Sequence, residues 1–265
     1  MKIGIVGCTG RMGKALIEET SLNENCNLIG GAVRPNSDFV GNDIGTLAGL
    51  EPVGINSTGS LEELFKNSDA VIDFSNPETS LKCAAIASKM KKIHVIGTTG
   101  FSAAEKDELK KYAKNAIIIW SANMSIGVNI LSMLTEQVAA ILDEKFDIEI
   151  VEMHHCHKVD APSGTALLLG ESAAAGRDVK LNDVARRSRD GIIGKRPIGE
   201  IGFSTIRGGD VVGEHTVMFA GDGERVELTH KASSRKIFAK GAVMAAVWAK
   251  DKKAGFYSMK DVLKK

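Results

Sequence analysis

The stretch Glu152-Met-His-His-Cys-His-Lys-Val-Asp-Ala-Pro-Ser-Gly-Thr165 concentrates groups that move protons and hold anions. Three of the chain's six histidines fall between 154 and 157, and Lys158 follows at once. A histidine exchanges its proton near neutral pH, so it can serve as acid or base there. A lysine beside it can hold a carboxylate or protonate a neighbouring atom. Ser163 has the chemistry of a helix N-cap, and the N–H groups of Gly164 and Thr165 would then face an anion. If strand geometry runs from Glu152 through Cys156, side chains alternate in direction. His154 and Cys156 then share one face, and His155 and His157 the other. Such divergence disfavours a metal, which would need ligands from elsewhere such as His215 or His230. The expectation is acid–base chemistry on a small anion, with no metal.

A second group of residues suits a nucleotide. Gly7-Cys8-Thr9-Gly10-Arg11-Met12-Gly13 lies between a short apolar strand, Lys2–Val6, and a helical segment over 14–20. Glycines there let backbone N–H groups approach a pyrophosphate at the positive end of a helix. The spacing is Gly-x-x-Gly-x-x-Gly, where a dinucleotide turn usually has Gly-x-Gly-x-x-Gly. Residues 27–33 read as the next strand. An acid that bonds the ribose 2′-OH is usual at its end, but this chain has Arg34. A guanidinium cannot accept from a hydroxyl but pairs well with a 2′-phosphate. NADPH is therefore the expected cofactor, with NADH second.

The elements that must position these groups alternate. Strands are expected at 70–74, 93–96 and 116–120. Helices start at Pro77 behind an Asn76 cap, and behind Ser60 and Ser102, each with glutamate three residues on. Residues 35–59 read as loops with one short strand. The alternation implies a parallel, doubly wound, Rossmann-like sheet. Ligands of such sheets lie beyond the carboxyl ends of the strands. That rule gathers the turns at 7–13, 34, 74–76, 97–100 and 121–124. Gly97, Thr98, Thr99 and Asn123 thereby become candidates, although Gly, Thr and Asn also end strands for local reasons.

After residue 124 the pattern changes. A helix over 126–142 leads to a strand with one wet face, which delivers the chain into 152–165. Residues 176–200 are basic and glycine-rich and read as a mobile, solvated loop. Residues 201–219 and 224–230 read as antiparallel strands joined by glycine turns. A helix over 237–250 should return to the first domain. The expected fold class is α/β: a parallel-sheet domain (1–124 with 236–265) plus an α+β domain (125–235) with a mainly antiparallel or mixed open sheet.

Bulk properties narrow the classes. A net charge of +1 provides no electrostatic footprint for nucleic acid or an anionic membrane. Four scattered cysteines without a Cys-x-x-Cys fit reduced thiols in the cytoplasm. The opening Met-Lys-Ile-Gly-Ile-Val-Gly is too glycine-broken for a signal peptide.

Taken together, these motifs closely resemble the 4-hydroxy-tetrahydrodipicolinate (dihydrodipicolinate) reductase family of the diaminopimelate route to lysine. The resemblance spans nearly the whole chain. It includes Gly7–Gly13, Val95-Ile-Gly-Thr-Thr-Gly-Phe101, the 152–165 stretch, 201–219 and Thr229-His-Lys-Ala-Ser-Ser234. It implies His154 as catalytic proton donor and Lys158 as the second. It implies His155, Gly164, Thr165 and Thr99 as substrate contacts. The implied cofactor contacts are Gly7, Cys8, Thr9, Gly10, Arg11, Met12, Gly97, Thr98, Thr99, Ser121, Ala122, Asn123 and Met124. The implied substrate is a cyclic dicarboxylate, and the implied assembly is a homotetramer joined through the second domain. Arg34 departs from the pattern, because many members carry an acidic residue beside an arginine. Another small amino- or keto-acid dehydrogenase would explain 1–124 but not the histidine run. A cofactor-sensing regulator would need a DNA-binding helix pair or basic face, and none is visible.

Overall fold

The structure is a computed structural model that describes residues 1–264. Two compact units emerge: Met1–Ile126 with the chain from Arg235 onward, and Gly127–Ser234. The first part of the chain runs β1 (Lys2–Val6), α1 (Arg11–Leu22), β2 (Asn27–Ala32), α2 (Ile44–Ala48), β3 (Ser57–Thr58), α3 (Leu61–Asn67), β4 (Ala70–Asp73), α4 (Pro77–Met90), β5 (Ile93–Ile96), α5 (Ala103–Tyr112) and β6 (Ile117–Trp120). The middle runs α6 (Ile126–Ile141), β7 (Asp147–His154), α7 (Gly164–Gly176), α8 (Leu181–Val184), β8 (Ala185–Arg186), β9 (Ile201–Arg207), β10 (Gly213–Ala220) and β11 (Arg225–Ala232). The last part runs α9 (Lys236–Trp248), β12 (Gly255–Tyr257) and α10 (Met259–Leu263).

The first unit is built on a seven-stranded sheet in the order β12-β6-β5-β4-β1-β2-β3. All of its pairings are parallel. Its central strands are continuous buried runs, because both faces are covered. Ile3, Ile5, Ile72 and Val95 face one core with residues of α1 and α9. Val6, Val71, Ile96 and Ile118 face the other with residues of α4 and α5. The order reverses between β1 and β4, so the turns after these two strands flank a crevice.

Two local features differ from expectation. Residues 35–59 contain the short strand β3 but also helix α2, which is too short for a periodic signal. Asp43 organises this segment: its carboxylate accepts from Thr46 N at 2.9 Å, Gly54 N at 2.7 Å and Val53 and Ile55 N at about 3.2 Å. At α3, Ser60 Oγ accepts from Glu63 N at 3.2 Å, but Glu63 bonds Thr58 Oγ1 at 2.6 Å. Only half of that capping box forms, whereas the Ser102–Glu105 box is complete.

The second unit holds a mixed sheet in the order β11-β10-β7-β9-β8. β7 alternates strictly, with Ile148, Ile150, Glu152 and His154 on its buried face. Leu131 and Ala139 of α6 and Leu169 and Ala173 of α7 pack on that face. The expected antiparallel run through 201–219 needs correction. β9 and β10 do not pair; β7 lies between them, parallel to β9 and antiparallel to β10. The Gly208-Gly209-Asp210 turn crosses the end of β7, and a local turn signal does not reveal an intervening strand. Residues 176–200 also differ from a solvated loop. They contain α8 and β8, and Arg189 and Arg196 grip Glu149 of β7 at 2.8 and 3.0 Å. The partners lie some forty residues away in sequence, so the charge run looked unpaired.

No helix among the described residues is long and apolar enough to cross a membrane. Asp43→Ala should strip hydrogen-exchange protection from the Val53, Gly54 and Ile55 amides while β1 and β4 stay protected. Unchanged exchange at 53–55 would show that the carboxylate is not their anchor.

Candidate active site

β7 ends at His154, and the alternation that buries Glu152 and His154 turns His155 away. The strand does not continue to Cys156, contrary to the extended geometry considered above. His155 N donates to Val211 O at 2.8 Å and Cys156 N to Gly209 O at 3.2 Å. The crossing turn thus takes both amides and ends the strand, and Cys156 is left exposed. Lys158 N closes a turn onto His155 O at 3.2 Å, and the His155 and His157 rings lie 6.2 Å apart.

Glu152 is 1% exposed and fully engaged. Arg207 meets it as a fork, Nη1 to Oε2 and Nη2 to Oε1, both at 2.8 Å. Oε2 also lies 2.5 Å from His154 Nδ1, and Oε1 accepts from Ser163 N at 3.0 Å. Burial pushes the carboxyl up, but Arg207, His154 and Ser163 N–H together hold it below the usual carboxylate range. For His154 the balance runs the other way. Burial lowers its pKa, Glu152 raises it in part, and Lys158 and Arg207 lower it further. Its protonated form is therefore a ready acid.

His215 of β10 sits opposite Glu152 in register, and its ring meets that of His154 edge-on at 5.1 Å. Burial, reinforced by the charge on His154, pulls its pKa to about 4. Its Nε2 lies 3.0 Å from Ser163 Oγ, which accepts from Ala166 N at 3.1 Å and caps α7. Gly164 and Thr165 thus open a thirteen-residue helix whose positive end suits a carboxylate. Lys158 Nζ holds Asp160 at 2.7 Å, and the bond keeps the Asp160 carboxyl low.

The first unit supplies a different surface. Gly7 has φ +68, which only glycine adopts without strain. A Cβ at Gly13 would collide with Gly7 O and Cys8 Cα, so only glycine lets α1 start this close to β1. α1 begins at Gly10 without a side-chain cap, which leaves the first-turn N–H groups for an anion. This cradle fits a dinucleotide pyrophosphate. A cavity of about 290 Å³ adjoins it, lined by Arg11, Met12, Gly97, Ala122, Asn123 and Met124. Phe74, Arg235 and Phe238 complete the lining. Phe74 falls in the 74–76 turn that the strand-end rule gathers, whereas Arg235 and Phe238 were missed because they lie far off in sequence.

Several predicted contacts can act only through backbone or from the rim. The Cys8 side chain packs against Gly31, and burial pushes its thiol up to about 11. Thr98 is 4% exposed; its Oγ1 lies 3.0 Å from Ser80 Oγ, and its carbonyl accepts from Trp120 Nε1 at 3.0 Å. Ser121 Oγ donates to Asn123 O at 2.7 Å and shapes that turn. Thr99 and Arg34 are exposed, and the Arg34 guanidinium makes no hydrogen bond among the described residues.

A parallel sheet presenting a dinucleotide-type turn, in a chain that also carries an acid–base cluster beside an anion-binding helix start, defines an oxidoreductase of the nicotinamide-dependent class. Residues 1–124 match the family model described as dihydrodipicolinate reductase, N-terminus, and residues 127–263 the one described as dihydrodipicolinate reductase, C-terminus. The 4-hydroxy-tetrahydrodipicolinate reductase of Agrobacterium fabrum is 54% identical over 264 residues, covering 99% of this chain and 96% of that protein. That of Dinoroseobacter shibae is 52% identical over 261 residues, covering 98% and 97%. A solved structure of dipicolinate-bound dihydrodipicolinate reductase from Paenisporosarcina sp. TG-14 shares the fold, with a TM-score of 0.79, 23% identity and 99% coverage of each chain. The chain belongs to the dihydrodipicolinate reductase family.

The depressed histidines carry a pH consequence. His215 binds a proton at its ordinary 6.5 when unfolded and at about 4 when folded. Its contribution is complete above pH 6.5 and is lost as pH falls toward 4, up to roughly 3 kcal/mol. Thermal melts should show stability falling over that window, with a shallower fall in His215→Gln. Identical slopes would contradict a buried neutral His215.

Proposed function

We propose that NADPH is the preferred cofactor, and that His154 and Lys158 move the protons, in this chain's reaction. The reaction is reduction of 4-hydroxy-tetrahydrodipicolinate to tetrahydrodipicolinate with loss of water, in lysine synthesis by way of diaminopimelate. Reductases of this family use NAD(P)H, which supplies the hydride when bound. The residues that would hold it are Gly7 to Met12, Gly97 to Thr99 and Ser121 to Met124, with Arg34 on the 2′-phosphate. Everything else falls to the chain's own groups.

The observation that carries the reading is the buried Glu152–His154 pair beside the N-terminus of α7. One substrate carboxylate rests on Gly164 and Thr165, with His155 and Lys158 as further contacts. His154 donates a proton to the reduced ring and Lys158 is the second donor. The bound dipicolinate of the Paenisporosarcina enzyme, a planar cyclic dicarboxylate, has the chemistry such a seat would take. The second unit serves substrate binding and oligomerisation. We assign a cytoplasmic homotetramer joined through the antiparallel strands of the second unit's sheet.

Oxidation of NADPH with freshly condensed pyruvate and aspartate semialdehyde tests the activity directly, and no turnover with either cofactor would overturn it. His154→Gln should lower turnover by about 10²–10⁴-fold and leave NADPH affinity intact. Full activity in that variant would refute the donor assignment. Arg34→Asp should weaken NADPH by roughly 10- to 100-fold and NADH far less. Equal losses would count against a 2′-phosphate contact.

A further inference from the structure

We propose that Glu152, locked by Arg207, is a positioning residue that ties the proton donor to the carboxylate-binding turn. The inference rests on the assignment of His154 as that donor. Each Glu152 oxygen serves one functional element and one Arg207 nitrogen. Oε2 meets His154 Nδ1 and Arg207 Nη1; Oε1 meets Ser163 N, the residue before Gly164, and Arg207 Nη2. One rigid carboxylate therefore sets the separation between the acid and the start of α7.

Occupying Nδ1 also fixes the working nitrogen. With Nδ1 held on Glu152, proton transfer falls to Nε2. Space is kept there: a Cβ at Gly213 would stand 2.9 Å from Nε2. Arg207 is itself anchored, with Nη2 donating to Asp160 O and Nη1 to Ile206 O, both at 2.7 Å. Gly208 N donates to His154 O at 3.0 Å, so the end of β9 is fastened to the end of β7.

The charges around His154 act in opposite directions. Glu152 on its own strand favours the imidazolium. Arg207 from β9 and Lys158 from the following turn oppose it. His215 from β10 is neutral above about pH 4, and His230 on β11, also depressed by burial, lies behind it. Asp160 is neutralised by Lys158. Removing Glu152's charge should therefore make the donor lose its proton at lower pH. Removing Arg207's charge should let it keep the proton to higher pH.

The test is the pH dependence of kcat and KM for wild type, Glu152→Gln, Arg207→Gln and His154→Gln, with NADPH affinity measured on each. Glu152→Gln should lower kcat by about 10- to 100-fold, the loss of one charged hydrogen bond to the donor, with a smaller change in KM and none in NADPH affinity. Its alkaline limb should move to lower pH, on the order of one unit. The limb of Arg207→Gln should move to higher pH. A purely structural role would move both limbs alike or not at all, and either result overturns the proposal. Wild-type turnover and limb in Glu152→Gln, alongside an inactive His154→Gln, would overturn the positioning role alone. An active His154→Gln would instead overturn the donor assignment beneath it. Should Glu152→Gln fail to fold, the Arg207→Gln limb decides: an upward shift supports the proposal and an unchanged limb overturns it.

Discussion

The second unit depends on keeping one ionised carboxylate inside the protein. Taking a carboxylate out of water costs several kcal/mol even after relaxation. Glu152 stays charged because a guanidinium fork, a backbone N–H and an imidazole meet it together. Those donors come from β9, from the start of α7 and from the end of β7. The mixed sheet is what brings these groups together. β9 runs parallel to β7, which brings Arg207 level with His154. β10 runs antiparallel on the other side and brings Gly213 and His215 to the same end. A simple hairpin of β9 and β10 would have left Glu152 without its counter-charge.

The first unit offers an anion seat made of backbone. An uncapped helix start, approached closely through Gly7 and Gly13, gathers N–H groups for an anion. Both units obey one geometric rule. Gly7, Phe74, Gly97 and Ser121 stand at the carboxyl ends of parallel strands, and so do His154 and Arg207. In parallel strands those ends point the same way, so groups distant in sequence converge without long loops.

Much of the fold is legible locally. Buried parallel strands read as continuous apolar runs, and the caps at Asn76, Ser102 and Ser163 are short-range chemistry visible in neighbouring letters. Alternation along β7 already separates His154 from His155, and the same count of two places Glu152 on the His154 face. Glu152 is thereby placed beside His154 by the strand period alone. The short helices α2, α8 and α10 and the three-residue β12 are too short for periodicity to show.

By itself the sequence determined the family, the order of the main strands and helices, and the glycine turn, and it singled out the histidine and lysine residues that the proposed acid–base chemistry uses. All of these reside in residue type and spacing within a few positions. Only the tertiary structure decided which charges meet. Arg207 lies 55 residues from Glu152, and His215 lies 52 from Ser163. Arg189 and Arg196 find Glu149 across 40 and 47 residues. Pairings at that range depend on which strand lies between two others, and no local pattern encodes that order.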